Sequence, residues 1–304
     1  MLHHILAVFI LLTKIAWANL KAVYRLFIQP PKVSVAGKVV LITGAGSGLG
    51  RELALRLSAA GPRLVLWDIS DTGNQDTADL ITQAHPDREI YLYRVDVTDK
   101  EGVKSTAVRV KNEVGQVYML INNAGVLVGE TILELTEKEI ERTMNVNAVS
   151  QFWMVRAFLP AMLEADSGHI VTTCSTAGES GMHRQIDYCA SKFAVFGFDE
   201  SLERELRDVY KKSGIKQTLV CPHILDTGLI HSVEQRFLGW NSVNEAADFI
   251  VDQVLRQARF VYFPRIYRLA SLGRGILPHE ARMAVMEFVN VQVSSQKATK
   301  PHKA

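Results

Sequence analysis

The sequence predicts an α/β protein: one doubly wound, seven-stranded parallel sheet in a single domain, preceded by an apolar helix. Three observations lead there. Seven short runs rich in β-branched and aromatic residues recur between Val39 and Phe263. Segments long enough for crossover helices separate them. The first 29 residues differ in character from everything that follows. With 304 residues, 48% of them hydrophobic and 22% charged, the chain can bury one large core but hardly two.

The N-terminal stretch comes first. Its uninterrupted apolar run, Ile5–Leu12, is too short to span a bilayer alone. At 100° per residue, Lys14, Lys21 and Arg25 form one stripe, and Ile5, Val8, Phe9, Leu12, Ala16, Leu20, Val23 and Phe27 gather opposite. Lys14 and Lys21 sit where the core of a secretory signal would continue, and Pro30-Pro31 stops the helix. A helix packed on the domain needs one apolar face, and this stretch carries more apolar surface than that. We therefore expect residues 1–29 to anchor the chain to a membrane, either spanning it or lying in its interface.

The strands follow. "VVLIT" (39–43), "RLVLWD" (63–68), "IYLYRV" (90–95), "YMLIN" (118–122), "HIVTTC" (169–174), "KQTLVC" (216–221) and "RFVYF" (259–263) are continuous apolar runs, as expected of strands buried on both faces. Helices are expected over 48–60, 99–113, 136–163, 187–211 and 243–257. The stretch 265–304 divides into "IYRLASLGRGILPHEARMAVMEFVNVQV", apolar with spaced arginines, and a polar tail, "SSQKATKPHKA", expected to fray. The apolar part suits a helical flap, a second membrane-contacting surface or a packing helix.

Charge and cysteines exclude several classes. The net charge of +2, with no basic cluster in the sheet region, gives no footprint for nucleic acid. Cys174, Cys189 and Cys221 have spacings that suit neither a zinc site nor a disulfide framework, so reduced thiols on the cytosolic side and no metal are expected. The absence of an N-x-S/T sequon agrees with that compartment.

The chemistry begins at "LITGAGSGLGRELALRL" (41–57). Gly44, Gly48 and Gly50 keep Cβ atoms out of a tight strand-to-helix turn, so backbone N–H groups and the helix N-terminus can meet a pyrophosphate. Asp68 ends the second strand, 18 residues after Gly50. A carboxylate there accepts from the adenosine ribose hydroxyls and repels a 2′-phosphate, and 44–50 holds no lysine or arginine to offset it. This favours NAD(H). Further on, "YCASK" sets Tyr188 and Lys192 on one helical face. An ammonium beside a phenol favours the phenolate and brings it toward acid–base work at neutral pH. Ser175 lies 13 residues upstream at the end of the fifth strand. "NNAG" (122–125) ends the fourth, and "NVN" puts Asn147 in the helix beside it. Singly, a glycine turn, a strand-end aspartate or a Tyr/Lys pair is commonplace. Together they are specific.

On these motifs, "TGAGSGLG", "DV" (96–97), "NNAG", "NVN", the serine and "YCASK", in order over residues 37–264, the chain resembles the short-chain dehydrogenase/reductase family, with its Rossmann-type sheet. The resemblance implies that Tyr188 is the acid–base and that Lys192 lowers its pKa and holds the nicotinamide ribose. Ser175 would orient the substrate oxygen, and Asn147 would hold a water linking the lysine to solvent. It also implies cofactor contacts at Gly44, Ser47, Gly48, Leu49 and Gly50, at Asp68, at Asp96 and Val97 beside the adenine, and at Asn123, Ala124 and Gly125 beside the ribose. Pro222 and Thr227 complete the set, Thr227 against the carboxamide. One departure stands out: "CPHILDTG" has His223 where the family usually has glycine.

Within the family the chain looks most like the membrane-associated branch of epidermal and retinal retinol dehydrogenases and the type 11 and type 13 17β-hydroxysteroid dehydrogenases. The expectation is an NAD(H)-dependent oxidoreductase acting on a retinoid or steroid at the endoplasmic reticulum or lipid droplet, facing the cytosol, as a homodimer. The rivals are an NADPH-dependent keto-lipid reductase and a non-catalytic lipid-surface scaffold.

Overall fold

A computed structural model describes residues 2–229, 233–234, 241–289 and 292–293. The chain divides into two compact units, 1–33 and 34–304. The first is a helix, α1 (Leu2–Phe27), whose 26 residues make it about 39 Å long at 1.5 Å per residue. Among the described residues it is the one helix long and apolar enough to cross a membrane, over His3–Arg25.

The second unit is built on seven strands, each falling where an apolar run was expected: β1 (Val39–Thr43), β2 (Arg63–Asp68), β3 (Ile90–Arg94), β4 (Val117–Asn122), β5 (Gly168–Thr173), β6 (Ile215–Pro222) and β7 (Phe260–Phe263). All pair in parallel, in the order β3-β2-β1-β4-β5-β6-β7. The order reverses between β1 and β4, and such a switch point opens a crevice at the carboxyl ends of the strands. The continuous apolar character of β1 follows from its two covered faces. Val40 and Ile42 pack under α2 (Gly48–Ser58) and α8 (Val243–Leu255), with Leu53, Leu57 and Ile250. Val39 and Leu41 turn to the other layer, with Trp67, Val110 of α4 (Lys100–Glu113) and Met154 and Phe158 of α6 (Ser150–Ala165).

Three helical stretches differ from the expected pattern, one of them the expected helix 187–211, which is α-helical over Ile186–Arg204 and closes on a π-helical turn, Glu205–Val209. The polar stretch 71–84 shows no apolar stripe long enough to announce itself, yet forms α3 (Asp71–Ala84). Ser70 caps it, accepting from Gly73 N–H, Asn74 bonds the carbonyls of Leu66 and Tyr93, and Ile81 is buried. The expected helix 136–163 is split into α5 (Glu137–Met144), one π-helical turn (Asn145–Val149) and α6. That turn carries Asn147. The C-terminal stretch contributes α9 (Tyr267–Ile276) and α10 (His279–Val289) to the sheet's unit, and Val233–Glu234 pairs antiparallel with Gln292–Val293. The polar tail 294–304 lies outside the described residues.

Candidate active site

The turn between β1 and α2 is drawn tight by its glycines. Gly44 and Gly48 have φ of +65° and +51°, the left-handed region that favours glycine. A Cβ on Gly50 would lie 2.0 Å from the Gly44 carbonyl oxygen, and one on Gly44 2.9 Å from Ala124 Cα. The turn therefore rests against the end of β4. Thr43 fastens the two strand ends: its hydroxyl accepts from the N–H groups of Asn123 (2.9 Å) and Ala124 (3.0 Å). Ser47 stands at the N-terminus of α2 with its side chain exposed and making no capping bond.

Asp68, at the end of β2, reaches back to this turn. Its carboxylate accepts from Gly46 N–H at 2.8 Å and from Ser70 N–H at 2.9 Å. Arg51 is committed elsewhere, donating to Gly46 O at 2.6 Å and to Thr77 at 3.1 Å. Asp96 ends the β3 segment, accepting from the backbone and hydroxyl of Thr98, beside the buried Val97.

The carboxyl ends of β4, β5 and β6 carry the remaining groups. Ser175 follows β5; its hydroxyl donates to Pro222 O at 3.3 Å and accepts from Ala177 N–H at 3.1 Å. Tyr188 opens α7 (Ile186–Arg204), and its side chain lines the same cavity as Ser175. Lys192, one turn on, has its Nζ 5.6 Å from the Tyr188 ring centre and donates to Thr173 O at 3.0 Å. Both are buried, and burial governs both pKa values. It pushes the Tyr188 phenol well above its ordinary value, opposed in part by the neighbouring Ser175 hydroxyl, and it pushes the Lys192 ammonium down. The cost of holding a phenolate away from water sets the direction for Tyr188, and Lys192 is not among the influences on the phenol.

Asn147 is wholly buried in the π-helical turn. Its amide donates to Val126 O (2.9 Å) and Ser191 Oγ (3.0 Å) and accepts from Val126 N–H (2.8 Å). Ser191 in turn donates to Tyr188 O at 2.7 Å. Asn147 thus ties the end of β4 to the helix that carries the tyrosine. A π turn inserts one residue into the helical spacing, which is how such turns re-aim side chains at functional sites.

One cavity of about 780 Å³ gathers these groups. Every residue singled out in the sequence lines it except Gly50, which packs behind the turn, and Asn147, which braces the wall. The cavity also takes in residues that no motif signalled: Met182, Gln185, and Lys138, Glu141 and Arg142 of α5. Charge at helical spacing marks Lys138 and Arg142 only as an exposed face, and their turn toward the cleft depends on how α5 packs. Cys174, next to Ser175, is buried with its thiol 3.3 Å from Lys192 O, and all three cysteines are free. Among the described residues no group of His, Cys, Asp or Glu side chains is disposed to hold a metal.

The residues present fit a nicotinamide dinucleotide. A cradle that Cβ atoms would fill and an uncapped helix N-terminus suit a pyrophosphate, and a carboxylate stands a strand away for a ribose. The comparisons agree. A family model described as short chain dehydrogenase matches residues 38–236. Epidermal retinol dehydrogenase 2 of Homo sapiens is 39% identical over 286 residues, covering 93% of this chain and 92% of that protein. Among solved structures, a short chain dehydrogenase/reductase from Burkholderia phymatum in complex with NAD superposes with a TM-score of 0.72 at 26% identity, covering 83% of this chain and 96% of the other. A metagenomic short-chain oxidoreductase in complex with NADP gives 0.63 at 26% identity, covering 75% and 96%. In fold, site and sequence alike, the chain belongs to the short-chain dehydrogenases, oxidoreductases that use a nicotinamide cofactor on a small-molecule substrate.

Proposed function

We propose that the protein uses NAD(H) to interconvert a hydroxyl and a carbonyl on a hydrophobic lipid, a retinoid or a steroid. The observation that carries this reading is that the hydroxyls of Ser175 and Tyr188 line the same cavity as the glycine turn and Asp68. The lipid class is supported by the retinol dehydrogenase likeness and by the apolar α1. NAD(H) is preferred because Asp68 would face a 2′-phosphate with like charge, while Arg51 is held to Gly46 and Thr77.

Hydride transfer is the chemistry that a nicotinamide held by the glycine turn and Asp68 would supply. Tyr188 gives its proton to the carbonyl oxygen in reduction and takes the hydroxyl proton in oxidation. Burial keeps the phenol protonated before the first step, and positive charge must favour release of that proton. In the reverse direction the phenolate must be favoured by positive charge, which Lys192 supplies one helical turn away. Ser175 holds the substrate oxygen where charge develops, and its own hydroxyl is oriented by Pro222 O. Asn147 is assigned to the water path between Lys192 and solvent, and it keeps Val126 and Ser191 in place.

In this reading, residues 1–29 form the anchor, 37–264 the catalytic domain and 265–304 an extension. The enzyme works as a homodimer on the cytosolic side of the endoplasmic reticulum or a lipid droplet. The test is Tyr188→Phe. We expect kcat to fall by about 10²–10⁴, the usual worth of a positioned acid–base, with NADH affinity unchanged within threefold. Near-normal turnover by this variant removes Tyr188 from the chemistry. Wild-type activity with NADPH but not NADH transfers the reading to a reductase of the opposite cofactor preference.

A further inference from the structure

At the N-terminal ends of β6 and β7, the end of the sheet away from the catalytic cleft, lies a separate cavity of about 480 Å³. That volume suits a small ligand, and none of its lining residues lines the catalytic cavity. Its walls come from the end of α7, the π-helical turn after it, the connection into β6 and the residues before β7. The sequence spreads its basic residues, yet folding gathers five of them here. Arg207, Lys211, Lys212, Lys216 and Arg259 face a single lining carboxylate, Glu203. The whole chain carries a net charge of only +2, so this is a local concentration of charge.

The neighbouring carboxylates are already engaged. Arg259 donates from Nε to Glu203 at 2.9 Å and from a second nitrogen to the buried Asp199. Arg207 pairs with Asp208 at 2.8 Å. Lys216 donates to the Ser213 carbonyl at 2.6 Å, and among the described residues the ammonium groups of Lys211 and Lys212 have no partner. Lysines that follow a helix commonly serve its last carbonyls. Here backbone groups do that instead: Tyr210 N–H donates to Glu205 O at 2.9 Å and Lys212 N–H to Leu206 O at 2.8 Å. The remaining guanidinium nitrogen of Arg259, Nη1, is buried without an acceptor. The cavity thus holds three ammonium groups with no carboxylate paired to them.

Like charges gathered round a hollow repel one another, and the field they focus there draws an anion in. We propose that this cavity is a second anion site, suited to the dianionic phosphate of a phosphomonoester. Such a group brings close to two negative charges and three acceptor oxygens to three ammonium groups, where a carboxylate brings one charge and two oxygens. Lysine meets phosphate as a point charge and needs no planar, bidentate geometry. A hollow of this size holds one small ligand, whereas a nucleic-acid strand needs a basic stripe. A soluble phosphomonoester and a lipid headgroup ending in one present the same group, and the test separates them.

The full chain in dodecyl maltoside micelles is first saturated with NADH or NADPH, whichever binds more tightly, to fill the dinucleotide cradle. It is then titrated calorimetrically with glycerol 3-phosphate, dihexanoyl phosphatidic acid and acetate in phosphate-free buffer. Wild type should bind both phosphomonoesters at one site per chain. Lys211→Gln/Lys212→Gln, which changes two side chains at the protein surface, should weaken both at least tenfold while cofactor affinity and melting temperature hold. The variant in the same micelles separates binding at the site from partition into detergent. Phosphatidic acid binding at least tenfold more tightly than glycerol 3-phosphate assigns the site to a lipid headgroup, and equal affinities assign it to a soluble phosphomonoester. Equal affinity in wild type and variant, or no saturation by about 10 mM ligand, overturns the inference. Acetate binding as tightly as glycerol 3-phosphate overturns the choice of phosphate. None of these readouts depends on turnover, so the inference stands or falls apart from the proposed function.

Discussion

Replacing Asp68 with asparagine tests cofactor choice with almost no change of shape. The wild-type carboxylate accepts from Gly46 N–H and Ser70 N–H at 2.8 and 2.9 Å, and an asparagine oxygen preserves one of these bonds. Two unit charges 4 Å apart repel by about 1 kcal/mol in water and about 4 kcal/mol at an effective dielectric constant of 20. Asp68 is half-buried, so a 2′-phosphate held at that distance would be opposed by about 2 kcal/mol, roughly thirtyfold in affinity. Losing the charge also weakens the acceptor for ribose hydroxyls, which costs NADH about 1.5 kcal/mol, or about tenfold. The two effects act in opposite directions on the two cofactors. The NADPH-to-NADH affinity ratio should therefore rise by about 10² or more in Asp68→Asn. Fluorescence titration of both reduced cofactors at 0.15 M ionic strength, roughly one Debye length per 8 Å, measures it. A ratio that moves less than threefold, with the melting temperature preserved, refutes the argument that this carboxylate selects NAD(H).

Three further outcomes are expected. Asn147→Ala removes the side-chain partner of the half-buried N–H and C=O of Val126; unfolding free energy should fall by about 1–3 kcal/mol in all, and kcat should fall with it, read by denaturant titration and turnover. His169 is buried on β5 with Nε2 2.8 Å from Thr218 Oγ1, and burial drives its pKa from 6.5 down to about 3. Between those values the unfolded chain binds more protons, so this residue's contribution declines as pH drops below 6.5. The loss reaches about 2 kcal/mol by pH 5. His169→Gln should flatten that part of the stability profile, and an unchanged acid slope would count against it. Removing residues 1–33 should release the protein from membrane pellets while leaving kcat on hexan-1-ol within threefold. Persistent pelleting would move membrane contact to another surface.

Much of the site was legible before any coordinates. The strands announce themselves because both faces of β1, β2 and β4 are covered, so nearly every residue must be apolar. The glycines of 44–50 are legible for a steric reason: a Cβ at Gly50 collides with the Gly44 carbonyl. Tyr188 and Lys192 share a face through helical periodicity alone. α3 was not legible, because the stripe it buries, Asn74, Thr77, Ala78 and Ile81, is half polar and its start is fixed by the Ser70 cap.

What the chain order of motifs determined by itself was the family, the parallel sheet and nearly all the groups that meet in the cleft. These depend on local sterics, strand burial and spacing, all written in neighbouring residues. Tertiary structure alone decided three things. It inserted a π turn at Asn147, whose side chain bonds Val126 and Ser191, 21 and 44 residues away. It made burial, rather than the adjacent lysine, the main influence on the Tyr188 phenol. It also stacked His223 on Tyr267 and set α9 and α10 around an apolar chamber. Each depends on which distant segments come to lie together, and a low-dielectric interior exists only after they do.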